Sequence, residues 1–229
     1  TEIIQSKTKI EEKKSIPKSD QEFTYENGIK AWVGAIFIDI VDSSSLFKNQ
    51  KQETVARVIR AFSDGIINIL KSNDKYRQIG IRGDSVFGIY STDYQKDVLE
   101  LLNVAADCNS FLKLLNSVLV KNNFPSISAG IGLGLSQDLI IKVGKSGTGI
   151  NDMVWIGDSV VDAANFSSVA NRKGRNQIVM SKLFYNNMID LQIKENENSK
   201  NWFKEIYISE FNQNAYGCNL YYTSVNKYL

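Results

Sequence analysis

From residue 31 onward the apolar pattern changes period in a fixed order, and that order restricts the fold more than any other property of the chain. WVGAIFIDI is a run of Val, Ile and aromatic residues that suits a buried strand, and it closes on the polar turn VDSSS. Val55, Ile59, Phe62, Ile66 and Leu70 then recur at spacings of four, three, four and four, the stripe of one helical face, and predict a helix over residues 52–71. YRQIGIRGDSVFGIY predicts two short strands joined at Arg82-Gly83-Asp84, because β-forming residues flank a Gly-Asp able to reverse the chain. Thr92, with Gln95 three residues on, marks the start of a second helix that turns Val98, Leu101, Leu102, Ala105, Leu112, Leu115 and Leu119 inward and ends near Asn122-Asn123. SISAGIGLGL and LIIKV are expected as strands, KSGTGIND as a Gly-rich loop, MVWI as a strand and Asp158 as the start of a small-residue helix. Residues 203–224 read as two closing strands. Strand, helix, two strands, helix, strand is the ferredoxin-like order. The expected fold class is therefore α+β, an α/β sandwich with a βαββαβ core and a C-terminal strand extension.

Residues 1–30 carry alternating charges, Pro17 and few large apolar groups, so a charged N-terminal arm or linker is expected ahead of one domain over residues 31–229. A hydrophobic share of 43% over 229 residues is ample for one core. The balance of 27 Lys+Arg against 25 Asp+Glu is too even for a general polyanion-binding surface, and no nucleic-acid partner is expected. Histidine is absent, and Cys108 and Cys218 have no CxxC spacing. His-containing zinc sites, Ser-His-Asp triads and Cys-His dyads are thereby excluded, so any catalysis must rest on carboxylates, hydroxyls, Lys, Arg or a bound metal. The longest apolar stretch, residues 32–41, is broken by Asp39 and falls well short of the ~20 residues of a membrane helix. The charged N-terminus lacks the apolar segment of a secretory signal, and a soluble, cytoplasmic protein is expected.

Asp39 closes a strand whose other residues are apolar, so its carboxylate needs a cation or hydrogen-bond donors. In the expected topology the first strand lies beside the hairpin, which brings Asp84 to the same end of the sheet. Two carboxylates at close range repel unless they share a proton or a divalent cation. With hard oxygens as the only donors, the cation expected is Mg²⁺ or Mn²⁺, with the Ile40 carbonyl as a further ligand. Val41, Asp42, Ser43 and Ser44 lead from strand into helix, where free N–H groups favour phosphate. A metal beside an amide cradle points to a nucleoside triphosphate and to two-cation assistance of an in-line displacement by a hydroxyl. Taken singly, Asp39 as a capping residue and Gly83-Asp84 as a plain turn are adequate readings; together at one sheet end they favour a site. The glycines of GIGLGL read as a strand packed closely against a neighbour, without a phosphate role.

FIDIVDSSSLF resembles the first metal motif of the class III nucleotide cyclases, IRGDSVFGIY resembles their Gly-Asp hairpin, and ISAGIGLGL and VWIGDSVVDAANFSSVANRKGRNQIVMS resemble their later strand and helix blocks. The match runs in the family's order from about residue 33 to 182. The resemblance implies a homodimer with active sites at the interface, metal groups from one subunit and base and transition-state groups from the other. It assigns Asp39 and Asp84 as the metal aspartates and Ile40 as the carbonyl ligand. Where adenylate cyclases carry a purine-selecting Lys this chain has Gly80, and at the partner position it has Val154. Val161 replaces the ribose-positioning Asn, and Asn165 the transition-state Arg.

Both purine-reading groups are thus gone while both aspartates remain, which favours an active enzyme with altered base choice over a silent pseudocyclase. The pyrimidine cyclases of the Pycsar antiphage systems are similar in size and in their VWIG-type block. That resemblance implies conversion of UTP or CTP into a 3′,5′-cyclic monophosphate and pyrophosphate, a second messenger read by a separate cyclic-nucleotide-sensing effector. Trp32, Gln78 and Trp155 are candidates to fill or read a smaller base pocket, Gln78 because strand alternation places it on the face of Gly80. A solvated Gln78 and a core Trp155 are the plainer readings. Arg172, Lys173 and Arg175, just past the helix that carries Asn165, are candidates to supply the missing positive charge to phosphate. An adenylate or guanylate cyclase with atypical base contacts, and a catalytically silent nucleotide-binding domain, are the alternatives. A glutamine amide serves uracil or cytosine by flipping, so the residues leave UTP and CTP open.

Overall fold

The computed structural model describes residues 2–145 and 147–229. In chain order the elements are α1 (Glu2–Gln5), β1 (Lys9–Glu12), β2 (Asn27–Ile40), α2 (Ser43–Asn49), α3 (Gln52–Ser72), β3 (Tyr76–Arg82), β4 (Ser85–Ser91), α4 (Gln95–Lys121), β5 (Ala129–Gly144), β6 (Asn151–Ile156), α5 (Asp158–Val169), β7 (Ile178–Ser181), α6 (Lys182–Glu195), β8 (Lys204–Ile208) and β9 (Gln213–Cys218). All nine strands form one mixed sheet with the path β3-β4-β2-β5-β7-β9-β8, to which β1 adds beside β2 and β6 beside β5. The expected α+β architecture and its order of strand, helix, two strands, helix and strand are present, with α2 and α6 as further helices.

Strand alternation divides the sheet into two unlike faces. Ile36, Ile38 and Ile40 of β2, with Val86 and Tyr90 of β4, meet Val58, Phe62, Ile66 and Leu70 of α3 and the inward stripe of α4 in the main core. Ala35 and Phe37 point the other way, toward α5. Gly130, Gly132 and Gly134 lie on that second face, opposite Asp39, Phe37 and Ala35 across the β2–β5 ladder. A Cβ on Gly132 would stand 2.0 Å from the Ala163 carbonyl oxygen, and one on Gly134 1.9 Å from that of Ser159. The glycine stripe is therefore a main-chain notch that seats α5 directly on β5, the close packing expected of GIGLGL.

Three expectations need correction. SISAGIGLGL and LIIKV are one continuous strand, β5, because Asp138 does not end it. The Asp138 carboxylate is fully buried beneath the start of α5, where Ser136 donates its hydroxyl to Oδ1 and Ser159 donates its own to Oδ2 at 2.5 Å. Burial pushes the Asp138 pKa up, and these hydroxyl donors oppose the shift. A Cβ on Gly157 would fall 2.1 Å from Asp138 Oδ1, so space rather than backbone angle dictates that glycine. The second helix is capped by Tyr94, not Thr92: Asp97 accepts the Tyr94 N–H at 2.9 Å, while the Thr92 side chain is buried.

The third correction concerns residues 1–30, expected as an arm or linker outside the core. β1 pairs in parallel with β2 from Lys9↔Asn27 to Glu12↔Lys30, and Ile16 and Phe23 are buried with Ile29, Ala31, Val33, Ile89 and Ile140. The Ile16 N–H donates to Ser91 Oγ at 3.0 Å and its carbonyl accepts from Arg77 Nε at 3.0 Å. Two isolated apolar side chains in a polar run thus anchor the segment against the second face. Cys108 and Cys218 are free and buried, and burial pushes the Cys218 thiol up to about 12, away from nucleophilic use.

The notch predicts that Gly132→Ala, which forces α5 off β5, lowers stability by about 1–3 kcal/mol in urea denaturation. An unchanged midpoint would mean that α5 is not held by this contact.

Candidate active site

Asp39 lies on the face of Ala35 and Phe37, at the end of β2, with Ser85 as its cross-strand partner. Ser85 donates its hydroxyl to Asp39 Oδ1 at 2.5 Å. The counter-charge that the sequence demanded for Asp39 is Arg172, whose Nη2 donates to Asp39 Oδ2 at 2.8 Å and to the Ile40 carbonyl at 3.1 Å. The same guanidinium donates through Nη1 to the Ser167 and Ala170 carbonyls at 2.9 and 3.2 Å, so it closes the C-terminus of α5 while neutralising the end of β2. Asn171 and Lys173, on either side of it, adopt left-handed φ values of 56° and 52°, which turn the loop tightly enough to bring Arg172 back over the sheet.

Asp84 occupies the β3–β4 turn, immediately before Ser85. Gly83 takes the φ of 64° that the first central position of a two-residue hairpin reversal requires, so the Gly-Asp pair fixes where Asp84 leaves the sheet. The fold thus places Asp39, Ile40 and Asp84 at one sheet end, as the topology predicted. Among the described residues no three His, Cys, Asp or Glu side chains form a metal-binding group. The candidate ligand set is two carboxylates and a main-chain carbonyl. Asp39 Oδ2 and the Ile40 carbonyl both accept from one positive group, Arg172 Nη2, so these two hard oxygens face the same point.

Of the expected phosphate cradle, Val41 drops out: its N–H donates to the Ser128 carbonyl at 2.7 Å. Asp42 turns the chain with a left-handed φ of 52° and its carbonyl accepts from Ser45 and Leu46. Ser43 and Ser44 form the first turn of α2, where helix geometry leaves N–H groups without an intrahelical acceptor.

The base-reading candidates separate by face. Gln78 pairs with Ile89 and Gly80 with Phe87 across β3–β4, on the face of Asp39. A Cβ on Gly80 would lie 2.6 Å from the Phe87 ring, which stacks on Phe37 at 5.0 Å; a stacked aromatic pair therefore stands where a purine-selecting Lys would emerge. Trp32 points to the opposite face, toward Tyr94, Val98 and Leu191, and does not reach this site. Val154 likewise alternates away, whereas its neighbour Trp155 meets Gln78: the indole N–H donates to Gln78 Oε1 at 2.6 Å. Asn165 is half-buried on α5, one turn beyond the exposed Val161. Arg175 and Lys173 pair with Glu210 at 2.6 and 3.1 Å, away from Asp39. The Glu210 carboxyl is held down to about 2 by its own main-chain amide and by those two cations.

Asp39, Asp84 and Gln78 are legible in the sequence, but their partners are not. Arg172 is one of three loop cations, and nothing in its spacing marks it as the one that folds back on Asp39. Trp155 sat in an apolar strand, and only the β5–β6 register, Ile140↔Trp155, turns it toward Gln78.

No protein-family model matches the chain. A solved bacterial light-regulated adenylyl cyclase shares its fold, with a TM-score of 0.64 at 16% identity over 86% of this chain and 95% of that one. The architecture is that of the class III nucleotide cyclases. A curated uridylate cyclase of Treponema porcinum is 40% identical over 188 residues, which are 82% of this chain and 65% of that relative, so the chain spans just under two thirds of its length. A uridylate cyclase of Gulbenkiania mobilis is 30% identical over 223 residues, 94% of this chain and 85% of the relative. The chain belongs to the nucleotide cyclase family that these uridylate cyclases represent.

The Asp39–Arg172 pair is less than a quarter exposed on either side. A double-mutant cycle of Asp39→Asn and Arg172→Met in urea denaturation should give a coupling energy of about 1–3 kcal/mol. Coupling below about 0.5 kcal/mol, the scatter of independent sites, would contradict the pairing.

Proposed function

We propose that this protein cyclises UTP to 3′,5′-cyclic UMP and pyrophosphate. The observation that carries the chemistry is the convergence of Asp39 Oδ2 and the Ile40 carbonyl on one cation, beside the Gly83-Asp84 turn. The choice of uracil is supported by what the curated relatives are named for.

In this reaction the ribose 3′ oxygen forms a bond to the α-phosphorus as the bond to the β-phosphate bridging oxygen breaks; the hydroxyl proton passes to solvent and pyrophosphate leaves. Two divalent cations, Mn²⁺ or Mg²⁺, when bound, supply Lewis-acid activation of the hydroxyl and charge neutralisation of the leaving group. Asp39, Asp84 and the Ile40 carbonyl hold them. Arg172 stands at the same oxygens and exchanges its contact with Asp39 for the triphosphate, which returns a positive charge to a site whose usual arginine position is Asn165. Asn165 donates a neutral hydrogen bond to the phosphate in flight, weaker than a guanidinium. The first-turn amides of Ser43 and Ser44 take phosphate oxygens, in place of the cradle that included Val41.

The second face is half-open at β3 and β4, and we assign it to a homodimer in which the Gln78 side of one subunit faces the Asp39 end of its partner. The product would be a messenger in antiphage defence, sensed by a separate effector in the cytoplasm. No helix among the described residues is long and apolar enough to cross a membrane.

Incubation with ATP, GTP, CTP and UTP in turn, with Mn²⁺ and mass-resolved products, should yield cyclic UMP and pyrophosphate in equal amounts. Asp39→Ala should lower kcat by about 10³-fold or more, several kcal/mol of lost transition-state stabilisation, with the dimer intact by light scattering. Retained nucleotide without any product would make the protein a silent nucleotide-binding domain instead.

A further inference from the structure

We infer that the Trp155–Gln78 hydrogen bond fixes which end of the Gln78 amide faces the base, and that this orientation selects uracil over cytosine. The inference rests on the pyrimidine cyclase reading and deepens it. A free glutamine reads either base, because its amide presents an acceptor or a donor according to how it is turned. Gln78 is not free. The Trp155 indole N–H lies 2.6 Å from it, and an indole N–H only donates, so the atom facing it is the carboxamide oxygen. Turning the amide over would set its NH₂ group against the indole N–H, donor on donor, at a half-buried position. Trp155 itself has little freedom: it packs with Phe87 and Val160 against the buried cluster of Ile29, Ala31, Val33, Ile89 and Ile140.

With Oε1 turned toward the indole, the end of the Gln78 amide directed away from it is Nε2, which presents N–H donors. Gln78 lies on the Asp39 face, two residues from Gly80 and next to the stacked Phe37–Phe87 pair, whose rings stand where a purine-reading side chain would emerge. A donor directed at position 4 of a pyrimidine meets the O4 acceptor of uracil and the N4 amino donor of cytosine. The first is a hydrogen bond; the second leaves two donors opposed.

Two variants read this out. Gln78→Glu still accepts the indole N–H through one oxygen but turns an acceptor to the base, and Trp155→Phe keeps an aromatic ring and removes the N–H that makes the lock. The measurement is the ratio of kcat/KM for UTP to that for CTP, with folding checked by thermal melting. Wild type should favour UTP by about 10- to 100-fold, Gln78→Glu should invert the preference, and Trp155→Phe should bring the ratio toward one. If one variant fails to fold, the other decides. A UTP:CTP ratio unchanged in the folded variants, or wild type favouring CTP, overturns the amide lock alone, because cyclisation of a pyrimidine triphosphate then stands. Wild type that cyclises no pyrimidine triphosphate overturns the parent reading and this inference with it.

Discussion

Main chain rests against main chain where α5 meets β5, and the geometry of the site follows from that contact. Three glycines at alternate positions, Gly130, Gly132 and Gly134, remove every Cβ that would hold the helix away. A helix seated that low covers β2, β5 and β7, and it leaves Gln78, Gly80 and Phe87 half-exposed on the same face. It also fixes the end of α5 beside the end of β2, so that a tight loop of left-handed residues can return Arg172 to Asp39. The start of the helix is tied down independently by the buried Asp138 carboxylate and its two serine donors. Helix position, and through it the electrostatics of the site, is thus set at both ends.

The electrostatics follow from one costly placement. A carboxylate at the end of an otherwise apolar strand is tolerated only with donors on its oxygens, and Asp39 has one neutral and one charged donor. The charged one also reaches the Ile40 carbonyl, so one guanidinium holds a carboxylate oxygen and a main-chain oxygen together at the end of β2. On the proposed function an arginine at that point would serve two states: it satisfies the aspartate before substrate arrives and would stand beside the phosphates afterwards, in a chain with Asn165 at the family's customary arginine position.

Much of this was legible in the residues because the relevant signals are local. The four-three-four-four spacing placed α3, the Gly-Asp pair placed the turn that carries Asp84, and the apolar run ending in Asp39 announced an unsatisfied carboxylate. What stayed hidden depends on register and on loop return, which no window of sequence contains. Trp32, a base-pocket candidate, fails because β2 runs without a bulge from Asn27 to Ile40 and puts position 32 on the face opposite Asp39. Val154 alternates away from that face and Trp155 toward Gln78 for the same reason. Ile16 and Phe23 carry no such signal because two apolar residues in a charged run give no periodicity, although each is almost completely buried.

The most direct test of the cation site is Mn²⁺ titration of isotope-labelled protein in the presence of UTP, read as paramagnetic broadening of backbone amide resonances. Signals from Ile40, Val41, Gly83, Asp84 and Ser85 should disappear first and together, and they should persist in Asp39→Asn. Broadening that begins elsewhere, or that strikes the end of β2 without the β3–β4 turn, would contradict a site built jointly from Asp39, Ile40 and Asp84.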